Sequence, residues 1–233
     1  MRDDAAPGPL TPASAPEVPG RPRRKDARHL GGGALHVGTW VVVLIKDFNS
    51  AKQRLQPALG PRSRRALARK NAQLAVRAAS AGDHVLVVAG SAQVAALAKK
   101  WGAEVLLEPR PEGQNVAARR GINRAMEQSA GAVLLLSSDL PLVTPEAVRE
   151  LLDEGSRHPA PVAVAAPAVG RGGTNALYVR PPDAIGLHFG DDSLAKFHHE
   201  AETRGVVFVV HHSDAMALDV DEPADLARLR HAV

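Results

Sequence analysis

The chain has 233 residues, 45% of them hydrophobic, and a formal charge of +4 at pH 7, enough for a sizeable core and more in keeping with one domain than several. Zero cysteines exclude disulfides, thiolate metal sites and cysteine nucleophiles, and an aromatic content of 3% gives little material for base stacking, so no nucleic-acid partner is expected. No apolar run approaches the roughly 20 residues of a membrane span, and the expectation is a cytoplasmic protein with no membrane partner.

Residues 1 to 36 are rich in Pro, Arg and small residues and carry no apolar period. Such a segment buries too little surface to offset its ordering entropy, which predicts a disordered tail. Arg2, Arg21, Arg23, Arg24, Lys25 and Arg28 oppose Asp3, Asp4, Glu17 and Asp26 there, so about half of the positive surplus lies in this tail. It has neither the apolar centre of a secretory signal nor the acid-poor composition of a transit peptide. The remainder, 37 to 233, is expected to be a single folded domain.

From Trp40 onward, short apolar runs alternate with helical periods. The runs "WVVVLI" at 40 to 45, "HVLVVA" at 84 to 89, "EVLLE" at 104 to 108, "AVLLLS" at 132 to 137 and "PVAVAA" at 161 to 166 read as buried strands. Their near-continuous apolarity suits a parallel sheet covered on both faces. Helices are predicted around Leu67, Leu74, Ala75 and Ala78, around Val94, Leu97, Ala98 and Trp101, and around Ala118, Ile122, Ala125 and Met126. Thr144, Pro145 and Glu146 supply cap, first-turn proline and dipole-matched acid for another. After 170, "TNALYV" and "VVFVV" read as strands, Leu194, Phe197, His198 and Ala201 as a helix between them, and a last helix follows Pro223. The alternation predicts a doubly wound α/β sheet with its ligand site beyond the carboxyl ends of the strands.

Six stretches carry chemistry. "LIKDFNSAKQRL" at 44 to 55 places Lys46, Lys52 and Arg54 in one loop after the first strand. Cations this close repel one another, and a polyanion such as a triphosphate relieves them, although an ordinary solvated loop has the same composition. Neither GxGxxG nor GxxxxGK[ST] occurs there, so a dinucleotide fingerprint and a P-loop are unsupported. "EPRPEGQNVAARRGIN" at 108 to 123 offers the amides of Gln114 and Asn115 to a nucleobase or phosphate, with Asn as a helix cap the competing reading. "SSDLP" at 137 to 141 puts Asp139 where a buried strand ends, a costly place for a charge unless a cation meets it, and a fit for Mg2+ completed by phosphate and water. "ALDVDEPADL" at 217 to 226 supplies Asp219 and Asp221; Asp221 or Glu222 can cap the helix begun by Pro223, which favours Asp219 as a second ligand.

Further on, "GRGGTNALYV" at 170 to 179 and "HFGDDSLAKFHHE" at 188 to 200 can turn backbone N–H groups and hydroxyls toward an anion, against the competing charges of Asp191 and Asp192. His198 and His199 are adjacent on a helix, point in different directions and are read as structural.

Taken together, Lys46 with "AKQRL", then "EGQN", "SSDLP", "GGTN", "FGDDS" and "LDVDEPADL" resemble the guanylyltransferases of coenzyme F-420 biosynthesis over roughly 40 to 230. The resemblance implies a three-layer, Rossmann-like α/β fold of the nucleotide-diphospho-sugar transferase type, with a mostly parallel sheet and helices on both faces. It implies transfer of GMP from GTP to 2-phospholactate or phosphoenolpyruvate, release of pyrophosphate, and a downstream transferase that receives the product. By motif, Asp139, Asp219 and Asp221 match Mg2+ ligands, with Asp219 and Asp221 both open for the second place. Lys46, Lys52 and Arg54 match the triphosphate site, Gln114 and Asn115 the nucleoside contacts, and Thr174, Gly190 and Ser193 the acceptor site. "IKDFNSAKQRL" departs from the glycine-rich signature usual in related nucleotidyltransferases. A relative using CTP, molybdenum cofactor or a sugar phosphate, and a non-catalytic nucleotide-binding module, are the alternatives.

Overall fold

Seven strands join in one sheet of order β3-β2-β1-β4-β6-β5-β7. A computed structural model describes Met1 and residues 38–170 and 172–232, so the expectation of a disordered tail over 1 to 36 lies, Met1 apart, outside the described residues. The strands are β1 Thr39–Ile45, β2 His84–Ala89, β3 Glu104–Leu107, β4 Ala132–Ser137, β5 Val162–Pro167, β6 Thr174–Arg180 and β7 Val207–Val210. β1 runs parallel between β2 and β4, with Trp40 opposite both His84 and Val133.

The strands read as unbroken apolar runs because both faces are covered. Val41, Val43, Leu134 and Leu136 enter one core beneath α1 Pro61–Ala79, α2 Ala92–Lys100 and α4 Pro145–Arg157. Trp40, Val42, Val133 and Leu135 enter the other beneath α3 Gln114–Glu127 and α5 Ser193–Arg204. The side-chain period of two thus feeds two helical layers from each strand. The three-layer, mostly parallel α/β fold expected from the sequence is the one observed. Among the described residues no helix is long and apolar enough to cross a membrane.

Helix starts follow their local chemistry. Thr144 Oγ1 accepts from the Ala147 N–H at 3.2 Å and Pro145 opens the first turn of α4. Ser91 Oγ accepts from the Val94 N–H at 3.3 Å to cap α2. Gly121 brings α3 against the sheet, since a Cβ there would lie 2.5 Å from Cγ1 of Val42.

Two features position the functional region. The sheet grows from β1 through β2 to β3 on one side and restarts at β4 on the other, so the switch point lies between β1 and β4, where such folds open a crevice. Leu44 pairs with Ser137, which puts the segments after β1 and after β4 side by side. β6 is antiparallel to both β4 and β5, a direction the sequence did not indicate, and it therefore begins, at Thr174, beside the end of β4. Two further short elements were not expected, a 3-10 turn at Gln53–Leu55 and α6 Asp214–Ala217; the last helix, α7 Pro223–Ala232, begins where the proline predicts.

Candidate active site

A cavity of about 600 Å3 opens at the switch point and is lined from many separate stretches of the chain, among them those after β1, β3 and β4. Lys46 lies exposed directly after β1 and borders it. An Asx turn follows, in which Asp47 Oδ1 accepts from the Asn49 N–H at 3.2 Å. Lys52 takes a left-handed conformation, φ 59°, ahead of the 3-10 turn, whose Leu55 is fully buried. That geometry turns the lysine inward. Its side chain is 1% exposed, and Nζ lies 2.8 Å from Oδ1 of Asp139. The cation that the strand-end aspartate calls for is therefore Lys52. The contact is an ion pair without hydrogen-bond alignment, so among the described residues the buried ammonium keeps donor capacity unmet by protein.

Arg54 is different in kind, exposed and 3.1 Å from Oδ2 of Asp221 with Glu222 at 3.7 Å. It joins the loop after β1 to the acidic stretch ahead of α7 across the cavity mouth.

The acidic stretches separated in sequence are brought together by backbone pairing. The Asp139 carbonyl accepts from the Val220 N–H at 3.2 Å and from Nδ2 of Asn71 at 3.3 Å. Asn175, buried beside Thr174, donates from Nδ2 to the carbonyls of Met216 at 2.8 Å and Ala217 at 3.3 Å, fixing the approach to Asp219. Asp139, Asp219 and Asp221 all line the cavity. Asp225, in the first turn of α7, reaches back to accept from the N–H groups of Asp221 and Glu222 at 3.0 and 2.8 Å.

Among the described residues no three His, Asp or Glu side chains stand close enough to form a metal site by themselves. The donor set is all carboxylate, which suits a hard divalent cation only when phosphate and water oxygens complete the shell. The residues fit Mg2+ on that condition.

On the opposite wall, Ser193 Oγ donates to Thr174 Oγ1 at 3.1 Å, both residues being buried. Gly190, at φ 127°, accepts from the Ser193 N–H at 3.3 Å, and Gly172 from the Leu194 N–H at 3.1 Å. Thr174, Gly190 and Ser193 all face the cavity. Asp191 and Asp192 are exposed, and the Asp191 carbonyl accepts from Nζ of Lys196 at 2.7 Å. The segment before Gly190 is held by Glu200, which accepts from the Gly186 N–H at 2.8 Å and pairs with Arg204 at 2.8 Å and with His188. Burial pushes the Glu200 carboxyl up, but hydrogen bonds from His188 and Gly186 and the charges of His188 and Arg204 outweigh it, holding the group below the ordinary glutamate range.

Gln114 lines the cavity; Asn115 does not. Asn115 instead turns to the backbone of Phe189, accepting from its N–H at 2.8 Å and donating to its carbonyl at 3.1 Å. Nor does Asn115 cap α3, which starts from Gly113 at φ 98°. Glu108 lines the cavity after β3 and is paired with Arg120 at 2.9 Å. His198 and His199 lie exposed on α5 and take no part in the lining. Asn71 went unread in the sequence, and Asn175 was read only as part of the GGTN stretch; an isolated buried Asn within a helix or strand was the available signal for their roles.

Comparison with known proteins bears on this arrangement. The family model described as "Guanylyl transferase CofC like" matches residues 39–231. A phosphoenolpyruvate guanylyltransferase of Rubrobacter xylanophilus is 37% identical over 195 residues, covering 83% of this chain and 94% of the relative. A 2-phospho-L-lactate guanylyltransferase of Methanothermobacter thermautotrophicus is 36% identical over 200 residues, covering 82% and 83%. Among solved structures, a putative nucleotide-diphospho-sugar transferase from Desulfovibrio desulfuricans G20 superposes with a TM-score of 0.70 at 18% identity, over 83% of this chain and 87% of that one, a likeness of fold.

Proposed function

Because this chain belongs to the CofC-like guanylyl transferase family, we propose that it transfers GMP from GTP to phosphoenolpyruvate or 2-phospholactate, releasing pyrophosphate, as a step of coenzyme F-420 biosynthesis. The observation that carries this reading is the meeting of the Lys46–Arg54 loop with the Asp139 and Asp219–Asp221 carboxylates around one cavity at the switch point of the sheet.

In the reaction an oxygen of the acceptor phosphate attacks the α-phosphorus of GTP, the bond to the bridging oxygen of the β-phosphate breaks, and pyrophosphate departs. The attacking group is already anionic, so no general base is required of the protein; the barrier is electrostatic repulsion and orientation. Lys46, Lys52 and Arg54 answer the first. Lys52 is the strongest of them, since a buried ammonium with unmet donor capacity interacts in a poorly screened setting. Asp139 with Asp219, and Asp221 as the alternative second ligand, would hold Mg2+, which when bound supplies positive charge to the phosphate chain. Gln114, which lines the cavity, would meet the nucleoside. The Thr174 and Ser193 hydroxyls, which line the cavity beside Gly190, would orient the acceptor's phosphate or carboxylate. The product keeps a reactive phosphoanhydride, which supports the expected handoff to a downstream transferase; the absence of cysteine is in keeping with a cytoplasmic setting.

The test is pyrophosphate release from GTP or CTP with phosphoenolpyruvate, 2-phospholactate or 3-phosphoglycerate, with a downstream transferase present to trap product. Release that needs GTP together with one of the first two acceptors is expected. Preference for CTP, faster transfer to 3-phosphoglycerate, or nucleotide binding with no release overturns the proposal.

A further inference from the structure

We infer that Asn115 is a positioning residue for the acceptor half of the site, acting through the backbone of Phe189; this rests on the guanylyltransferase reading above. One carboxamide makes both bonds, Oδ1 receiving the Phe189 N–H at 2.8 Å and Nδ2 giving to the Phe189 carbonyl at 3.1 Å, across 74 residues of sequence. Two bonds from one planar amide, to the N–H and the carbonyl of the same residue, fix the two peptide units that flank Phe189 in position and orientation together, which a single bond does not. The pairing demands a group that is donor and acceptor at once, and only the amide side chains offer both in this geometry. An aspartate of the same shape would keep the acceptor and set a carboxylate oxygen against the Phe189 carbonyl.

What Asn115 grips is the acceptor wall. Phe189 and Gly190 both line the cavity, and the Gly190 carbonyl receives the Ser193 N–H, whose hydroxyl in turn meets Thr174. The Phe189 ring rests edge-on against the buried Phe197, centroids 5.2 Å apart. The clamp by Glu200 on Gly186 and His188 ties this segment to α5, the helix it leads into, and does not fix it against the rest of the fold. Asn115 makes the tie to α3, one residue from Gln114. The nucleoside and acceptor walls are thereby referenced to the same first turn, with Gln114 facing the cavity and Asn115 holding the segment opposite. The nucleoside contact expected of Asn115 gives way to this role.

The experiment compares the full chain with its Asn115→Asp and Asn115→Ala variants in three measurements. These are the Kd for GTP by calorimetry, the KM of the acceptor against kcat, and hydrogen exchange of backbone amides at 186–190. Asn115→Asp is expected to raise the acceptor KM by about 10-fold or more. The GTP Kd should stay within about 2-fold, and the Phe189 amide should exchange faster while 195–204 keeps its protection. A GTP Kd weakened about 10-fold with an unchanged acceptor KM overturns the inference, because Asn115 then touches the nucleoside. Unchanged exchange at 186–190 overturns it too. Should either variant fold poorly, exchange of the Phe189 amide in the unmodified chain decides: a rate no slower than that of an exposed loop amide refutes the clasp. If the unmodified chain releases no pyrophosphate with any acceptor, the functional reading fails, while the exchange measurement still judges the clasp.

Discussion

Lys52 and Asp139 form a lopsided ion pair, the ammonium side chain 1% exposed and the carboxylate 41% exposed, their charged atoms 2.8 Å apart. Removing either partner leaves the other in a different predicament, and the two substitutions separate function from stability.

Lys52→Met deletes the buried charge, replaces it with apolar volume and leaves a carboxylate that water can solvate. Stability should change little, since exchanging a buried ionic group for a packed apolar one is often neutral. Turnover should fall by ~10²–10³-fold through loss of a cation preorganised at the phosphates. Steady-state pyrophosphate release beside a thermal melt reads both; near-normal turnover removes Lys52 from the triphosphate site.

Asp139→Asn abandons the ammonium in the interior. A loss of ~1–3 kcal/mol is expected, in the range for an uncompensated buried polar group and below that of a fully buried pair because Asp139 is partly solvated. Urea unfolding measures it. Combining the substitution with Lys52→Met should recover most of the loss, and simple additivity of the two would contradict the pairing.

Chelation with EDTA should abolish pyrophosphate release, and Mg2+ or Mn2+ should restore it. Since no group of three acidic or histidine side chains forms a metal site among the described residues, calorimetry should find the cation bound at least ~10-fold more tightly with GTP present than without. Equal affinity in both conditions would point to a preformed protein site and against the shared shell.

Gly121→Ala tests how closely α3 sits on the sheet. The added methyl would meet Val42 Cγ1 at 2.5 Å and Val88 Cγ2 at 3.1 Å, both valines being buried strand residues without room to retreat. Overpacking at ~1–3 kcal/mol outweighs the ~1 kcal/mol that alanine contributes over glycine in a helix. The urea midpoint should drop; a rise would mean that the contact is slack.

Glu200 gives the acid limb of stability a specific origin. Its folded pKa lies below the ordinary glutamate value, so on acidification the unfolded chain takes up the proton first. The contribution is complete above the ordinary value and disappears as pH falls through the lowered one. Comparing urea midpoints of the protein and its Glu200→Gln variant from pH 7 to pH 3 should show a gap that narrows with acid. A gap independent of pH would assign the loss to packing.

The strands and their helices were legible because continuous apolar runs and 3.6-residue periods are local signals, and Thr144 with Pro145 marked a helix start within three residues. The position of β6 was not: an apolar strand of seven residues reads the same in either direction, and only the partners, Leu136 opposite Ala176, show that it runs against β4. The candidate site was legible as a set of charged stretches and hydroxyls, since chain ends of strands advertise themselves. How the stretches meet was not. The bond from Val220 to the Asp139 carbonyl uses backbone groups that every residue carries, so no residue type could announce it. Asn115 shows the same limit in a side chain, because an amide near a helix start is equally suited to a base, a cap or a distant peptide.

The reversed strand has an evolutionary consequence. Because β6 runs antiparallel, it delivers its first residues, Thr174 and Asn175, to the rim where the parallel strands end, by way of a hairpin from β5 and without an intervening helix. On the acceptor assignment proposed above, substitutions at this rim would reshape what is accepted while the parallel crossovers stay as they are, so the rim is where relatives sharing the scaffold would diverge in diet.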